Sequence, residues 1–246
     1  MNTFAICSLA YGERCINEFN QLIESLDKID SNLNIFVCTD NKSKIQKQSI
    51  NIIETIEPFN YNLKMVSIEA ALKQFNTIVC VDTDALFNLN TNFSILNELN
   101  DNTFYCYHKT RLIKYLGYKI SMNKLLDGTT EFDNLNDYGI ALKKLNGDNN
   151  LEFMDEGIFL LSLSDISKRS EFINKWKKII EYTKKGQRSD KNNIWLPGTF
   201  EGIILNMICK ELQINIEVYP KILIDFFNSF LHYGNIDGSI LNKNLI

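Results

Sequence analysis

Asn76-Thr77-Ile78-Val79-Cys80-Val81-Asp82-Thr83-Asp84-Ala85-Leu86-Phe87 is the stretch on which the reading of this chain turns. The apolar run Ile78 to Val81 has no polar alternation, which is the pattern of a strand covered on both faces. It ends in two carboxylates separated by one residue. In an extended chain alternate side chains share a face, so Asp82 and Asp84 are expected to point the same way. Adjacent anions repel unless a cation joins them, and hard oxygen donors suit Mg²⁺ or Mn²⁺. Open α/β sheets bind ligands beyond the carboxyl ends of their strands. The stretch therefore points to a divalent metal that carries a phosphate-bearing substrate.

Upstream, strand and helix patterns alternate. Phe4 to Leu9 reads as a strand, Tyr11-Gly12 as a turn, and Ile16, Phe19, Leu22, Ile23, Leu26 and Ile29 recur at helical spacing. A second strand, Leu33 to Cys38, stops at Thr39-Asp40-Asn41, a trio of turn formers. Asn51 to Ile53 predicts a short third strand. Lys64 to Phe75 predicts a helix with Met65, Ile68, Leu72 and Phe75 on one face. Downstream the pattern gives a strand over Phe104 to Tyr107 and a basic stretch from Lys109 to Lys124. A polar excursion follows from Asp127 to Asp155. Then come a strand over Gly157 to Leu163, a helix from Asp165 to Tyr182, a polar loop from Lys184 to Gly198, a helix over Phe200 to Leu212 and a strand over Ile214 to Tyr219. The βαβ rhythm predicts an α/β fold with a mainly parallel sheet flanked by helices. With no repeat, no low-complexity linker and three prolines, residues 1–246 read as one domain.

Composition narrows the function classes. Hydrophobic residues make up 45% and charged residues 23%, the balance of a globular chain, and the net charge of −4 gives no reason to expect nucleic acid as a partner. The six cysteines show no C-x-x-C spacing, and most lie in apolar runs, which favours free thiols over disulfides or zinc. No stretch approaches the roughly 20 apolar residues needed to cross a bilayer. Nor does the N-terminus carry a basic, signal-like segment. These features predict a cytoplasmic protein.

Four stretches, in this order, resemble the GT-A fold nucleotide-sugar glycosyltransferases, and glycosyltransferase family 8 (glycogenin and galactosyltransferase-like) in particular. Lys64 to Phe87 looks like that family's helix, strand and D-x-D. Asp155-Glu156-Gly157-Ile158-Phe159-Leu160 resembles its Asn-x-Gly-Val segment. Glu201-Gly-Ile-Ile-Leu205-Asn206 is similar to its Asp-Gln-x-x-Leu-Asn helix start, and His232-Tyr-Gly234 to its late His-x-x-Gly element. The resemblance implies a single GT-A (Rossmann-like) domain. It also implies a hexosyltransferase that moves glucose or galactose from a UDP-sugar to a glycan, lipid or protein acceptor, with retention at the anomeric carbon. Mn²⁺ (or Mg²⁺) would be held by Asp82, Asp84 and His232. Asp155 and Glu201 would orient the sugar or face positive charge developing at its anomeric carbon. Tyr11, Asp40, Lys64, Asp82, Thr83 and Gly234 would serve the nucleotide.

Plainer roles exist for most of these residues. Tyr11 is an aromatic at the core edge, Asp40 a turn former, Lys64 a solvated first-turn lysine, Glu201 an acid favoured by the helix dipole, and His232 a satisfied histidine. The basic stretch would face an acidic acceptor or a membrane surface, or is simply a solvated helix face. Departures from the family stand at Asp155, at Gly202 in place of glutamine, and in the shortened His232 element, whose usual lysine is missing. The last two motivate a second reading, a non-catalytic nucleotide-sugar or glycan binder. A third, a haloacid dehalogenase-type phosphatase, shares the D-x-D but carries it after the first strand, whereas here it comes at residue 82.

Overall fold

The computed structural model describes residues 4–59, 61–107, 109–111, 122–129, 139–140, 143, 152–154, 157–183 and 201–232. The chain begins with β1 (Phe4–Ala10), α1 (Gly12–Asp27), β2 (Ile35–Thr39), β3 (Asn51–Glu54), α2 (Lys64–Leu72), β4 (Thr77–Val81) and β5 (Ala85–Phe87). It continues with β6 (Thr103–Cys106), β7 (Lys109–Arg111), α3 (Met122–Leu126), β8 (Glu152–Met154), β9 (Ile158–Ser162) and α4 (Ile166–Thr183). The described part ends with α5 (Glu201–Glu211), β10 (Asn215–Val218), α6 (Ile224–Asn228) and β11 (Phe230–His232).

Seven strands form the central sheet in the order β10-β6-β9-β4-β1-β2-β3. Neighbours run parallel except at β9, which is antiparallel to both β4 and β6. One register row crosses the whole sheet: Val218, Cys106, Phe159, Cys80, Cys7, Phe36 and Asn51. The α/β, mainly parallel architecture expected from the βαβ rhythm is the one found.

Burial follows from the sequence. Every residue of β1, β2, β4 and β9 is buried, as unalternated apolar runs require when both faces are covered. Strand alternation divides β4 between two cores. Ile78 and Cys80 join α2, α4 and α5 on one face, while Val79 and Val81 join α1, Phe87, Phe93 and Phe226 on the other. The stripe Ile16, Phe19, Leu22, Ile23 and Leu26 is the buried side of α1. Trp176 of α4 is fully buried, and its indole N–H donates to Asn62 Oδ1 at 3.0 Å, so the largest ring of its core leaves no orphaned donor.

Two short ladders complete the described structure. β5 pairs antiparallel with β11, setting Phe230 opposite Phe87 and His232 opposite Ala85. β7 pairs with β8, Arg111 opposite Glu152. Lys109 and Arg111 therefore belong to a strand rather than to a basic helix face; Lys114 and Lys119 lie outside the described residues. The cysteines are free, five of them buried and Cys15 partly so. No helix among the described residues is long and apolar enough to cross a membrane.

Candidate functional site

The parallel strands β1, β2 and β4 end along one edge of the sheet, and the residues singled out from sequence lie along it. Counted from the shared row, Tyr11 is four residues past Cys7, Asp40 four past Phe36, and Asp84 four past Cys80 (7 to 11, 36 to 40, 80 to 84). β9 enters the sheet at this edge because it runs the opposite way. There Asp82 N–H donates to Gly157 O at 2.8 Å.

The acid pair is not extended. Ala85 N–H donates to Asp82 O at 3.2 Å, which closes a β-turn with Thr83 and Asp84 at its corners. Strand alternation therefore sets the direction of Asp82 but not of Asp84, and the same-face expectation gives way to turn geometry. Asp82 projects toward the α2 face. Its Oδ1 lies 2.6 Å from Lys64 Nζ, in a pair whose side chains are 31% and 4% exposed respectively. Lys64 is thus not a solvated lysine of a first helical turn; its ammonium is buried against the carboxylate at the end of the neighbouring strand.

Thr83 faces α1 instead. It is 6% exposed, and its hydroxyl donates to Glu18 Oε2 at 3.2 Å. Glu18 also accepts from Arg14 Nε at 2.7 Å, an i,i+4 pair on α1. Burial, then the charge of Glu18, raises the Cys15 thiol above its usual range against a lowering hydrogen bond with Thr83, so it stays protonated at neutral pH. Asp84 is close enough to raise Cys15 slightly further and to favour the Arg14 cation. The acid turn is therefore bordered by a lysine on one side and by an arginine–glutamate pair on the other. Arg14, Cys15 and Glu18 were missed in the sequence. Their only signal was the i,i+4 spacing of Arg14 and Glu18, which many exposed helices share.

Asp40 accepts from Gly12 N–H at 2.9 Å through Oδ1. Gly12 has φ +79, a left-handed value that a side chain would strain, although a Cβ there would meet open space. With no side-chain cap from Tyr11, Asp40 satisfies one of the orphan donors at the start of α1. Tyr11 donates its hydroxyl to Glu57 O at 3.1 Å, and its ring lies 5.4 Å from that of Phe59, which is 48% exposed. These two rings border the edge beyond β1 and β3.

Glu201 is the first residue of α5, and His232 closes β11, where its main chain pairs with the residue after Asp84. Asp155 and Gly234 lie outside the described residues. Asn206, the last residue of the helix-start motif, is fully buried in α5, and among the described residues neither of its amide atoms finds a hydrogen-bond partner. Among the described residues, no three His, Cys, Asp or Glu side chains form a group that could hold a metal. The donors that are described, Asp82 and Asp84, are hard oxygen ligands. Both are partly exposed at a strand end, a chemistry that fits a divalent cation.

No protein-family model matches the chain, and no curated protein matches it. Solved structures do. The apo structure of WbbM, a bifunctional glycosyltransferase, aligns with 95% of this chain and 46% of its own at 11% identity and a TM-score of 0.45. The apo form of the glycosyltransferase GlyE from Streptococcus pneumoniae TIGR4 aligns with 98% of this chain and 57% of its own at 14% identity and a TM-score of 0.46. The chain thus spans about half the length of these two structures.

Proposed function

We propose that this chain is a metal-dependent glycosyltransferase domain that moves a hexose from UDP-glucose or UDP-galactose to a glycan, lipid or protein acceptor, with retention. The observation that carries this reading is the pairing of β11 with β5. It sets the main chain of His232 opposite Ala85, beside the acid turn at the carboxyl end of β4. Elements 147 residues apart in sequence (85 to 232) thereby meet at the sheet edge where α/β folds bind ligands.

Breaking a glycosyl–phosphate bond builds negative charge on the leaving diphosphate, which a divalent cation at Asp82, Asp84 and His232 would neutralise when bound. The chain's own residues do the rest. Tyr11 and Asp40 would border the base and ribose, with Thr83 and Gly234 on the nucleotide's path. Lys64 brings a cation for the diphosphate. Asp155 and Glu201 would orient sugar hydroxyls and face positive charge at the anomeric carbon.

The test is a donor screen with the full chain and Mn²⁺, reading nucleotide release from a panel of nucleotide sugars. A UDP-hexose is expected to be turned over, and Asp82→Asn or Asp84→Asn to slow release by two orders of magnitude or about that. Release at the wild-type rate by both variants would remove the acid turn from the reaction. Binding of a UDP-sugar without release or transfer would instead make the chain a non-catalytic binder.

A further inference from the structure

We propose that Lys64 is a gate that couples the nucleotide to the metal: its ammonium occupies Asp82 until a diphosphate draws it away. The inference rests on the donor-site reading above and adds to it an order of events. Three observations support it. Lys64 Nζ lies 2.6 Å from Asp82 Oδ1, so that carboxylate oxygen is already engaged by a cation. The Lys64 side chain is 4% exposed, so protein groups rather than water hold its ammonium, and Asp82 is one of them. Asp82 itself is 31% exposed and reaches the edge where an anionic ligand would arrive.

A divalent cation approaching Asp82 alone must compete with a buried lysine and sit beside its positive charge. Both effects weaken metal binding. A diphosphate changes the balance, because its oxygens offer the ammonium anionic acceptors in place of Asp82, reached by rotating its flexible stem. Asp82 is then released to the metal, and the metal in turn holds the diphosphate. Binding of each ligand is strengthened by the other, and thermodynamic linkage makes that coupling reciprocal. A lysine that merely touched phosphate, without engaging Asp82, would leave metal affinity unchanged when removed.

Calorimetric titrations of the full chain with Mn²⁺ alone, UDP alone, and UDP in saturating Mn²⁺ test the gate. They are run on wild type, Lys64→Met and Lys64→Arg, each checked for folding by circular dichroism. Lys64→Met should bind Mn²⁺ alone at least about fivefold more tightly than wild type, the low end of ordinary coupling. It should bind UDP alone more weakly, and lose most of the enhancement of UDP binding by Mn²⁺. Lys64→Arg keeps the charge and should bind Mn²⁺ alone as wild type does. If wild type binds both ligands and Lys64→Met leaves the Mn²⁺ affinity within twofold, the gate is wrong and the donor site stands. Equal tightening in Lys64→Arg also overturns it. If a folded wild type binds neither UDP nor Mn²⁺, the donor-site reading falls and takes the gate with it.

Discussion

The two ends of β4 each bury a basic side chain, and they treat it in opposite ways. At the amino end, Arg169 of α4 is 8% exposed and donates to four oxygens: Leu163 O at 2.6 Å, Leu72 O at 3.1 Å, Ser164 O at 2.8 Å and Asn76 Oδ1. All four are uncharged. The planar guanidinium suits such a cage because its fork of fixed donors matches several acceptors at once. It ties the turn after β9, the end of α2 and the residue before β4 into one rigid corner. Asp101, which accepts from Ser164 N–H at 2.7 Å, and Lys168, which donates to Asn102 at 2.8 Å, extend that corner toward β6. At the carboxyl end, Lys64 is a point charge on a flexible stem, matched to a carboxylate that solvent also reaches. One end is built to stay closed. The other holds charges that an incoming ligand can rearrange.

The largest effect that would test this contrast is at Arg169. Arg169→Met removes the donor from four acceptors, two of which, Leu163 O and Leu72 O, lie in buried surroundings where each orphaned group costs about 1–3 kcal/mol. Partial rehydration recovers some of this, so a loss of about 4 kcal/mol in urea-unfolding stability is expected. A loss below about 1 kcal/mol would mean that the corner is not what holds these elements together.

At the carboxyl end the asymmetry of exposure makes a finer prediction. Asp82→Asn takes a charged partner from a lysine with almost no access to water and should cost about 2–3 kcal/mol, short of the full penalty for a wholly buried pair. Lys64→Met leaves a carboxylate that water can solvate, and should cost about 1 kcal/mol or less. Urea titrations of the two variants decide the order. Were Lys64→Met the more damaging, the pair would be structural like Arg169, and the contrast between the ends would collapse.

Much of the carboxyl end was legible in sequence because it depends on backbone patterns. Unalternated runs marked β1 and β4 as buried, turn formers marked their ends, and position alone put Tyr11, Asp40 and Asp82 on one edge. What could not be read depends on distant partners. Lys64 looks like any first-turn lysine until Asp82, 18 residues later, is folded over it. Asp40 looks like a turn former, yet its carboxylate caps the helix after a different strand. The three-residue β5 and β11 are too short to show a period, so their pairing was invisible. At the amino end the reverse holds: nothing in the spacing of Arg169, Leu72 and Asn76 hints at their shared corner, because backbone carbonyls leave no mark in a sequence.

The smallest predicted effect concerns the acid that braces the closed end. Burial alone would raise the Asp101 carboxyl. Hydrogen bonds from the Ser164 hydroxyl and amide and from the Asn102 amide, helped by the charge of Lys168, outweigh it and hold the group below the usual carboxylate value. A carboxyl with a depressed folded value binds its proton more readily in the unfolded chain. Its contribution is therefore fully present above the unfolded pKa of about 3.9 and is lost as pH falls through the lower folded value. The melting-temperature gap between wild type and Asp101→Asn should hold steady from neutral pH down to about 5, then narrow below about 4. Asp101 is largely exposed, so solvent screening keeps the gap small throughout. A gap that widened on acidification would show that Asp101 is held neutral rather than charged, and that the closed end is braced by packing and carbonyls alone.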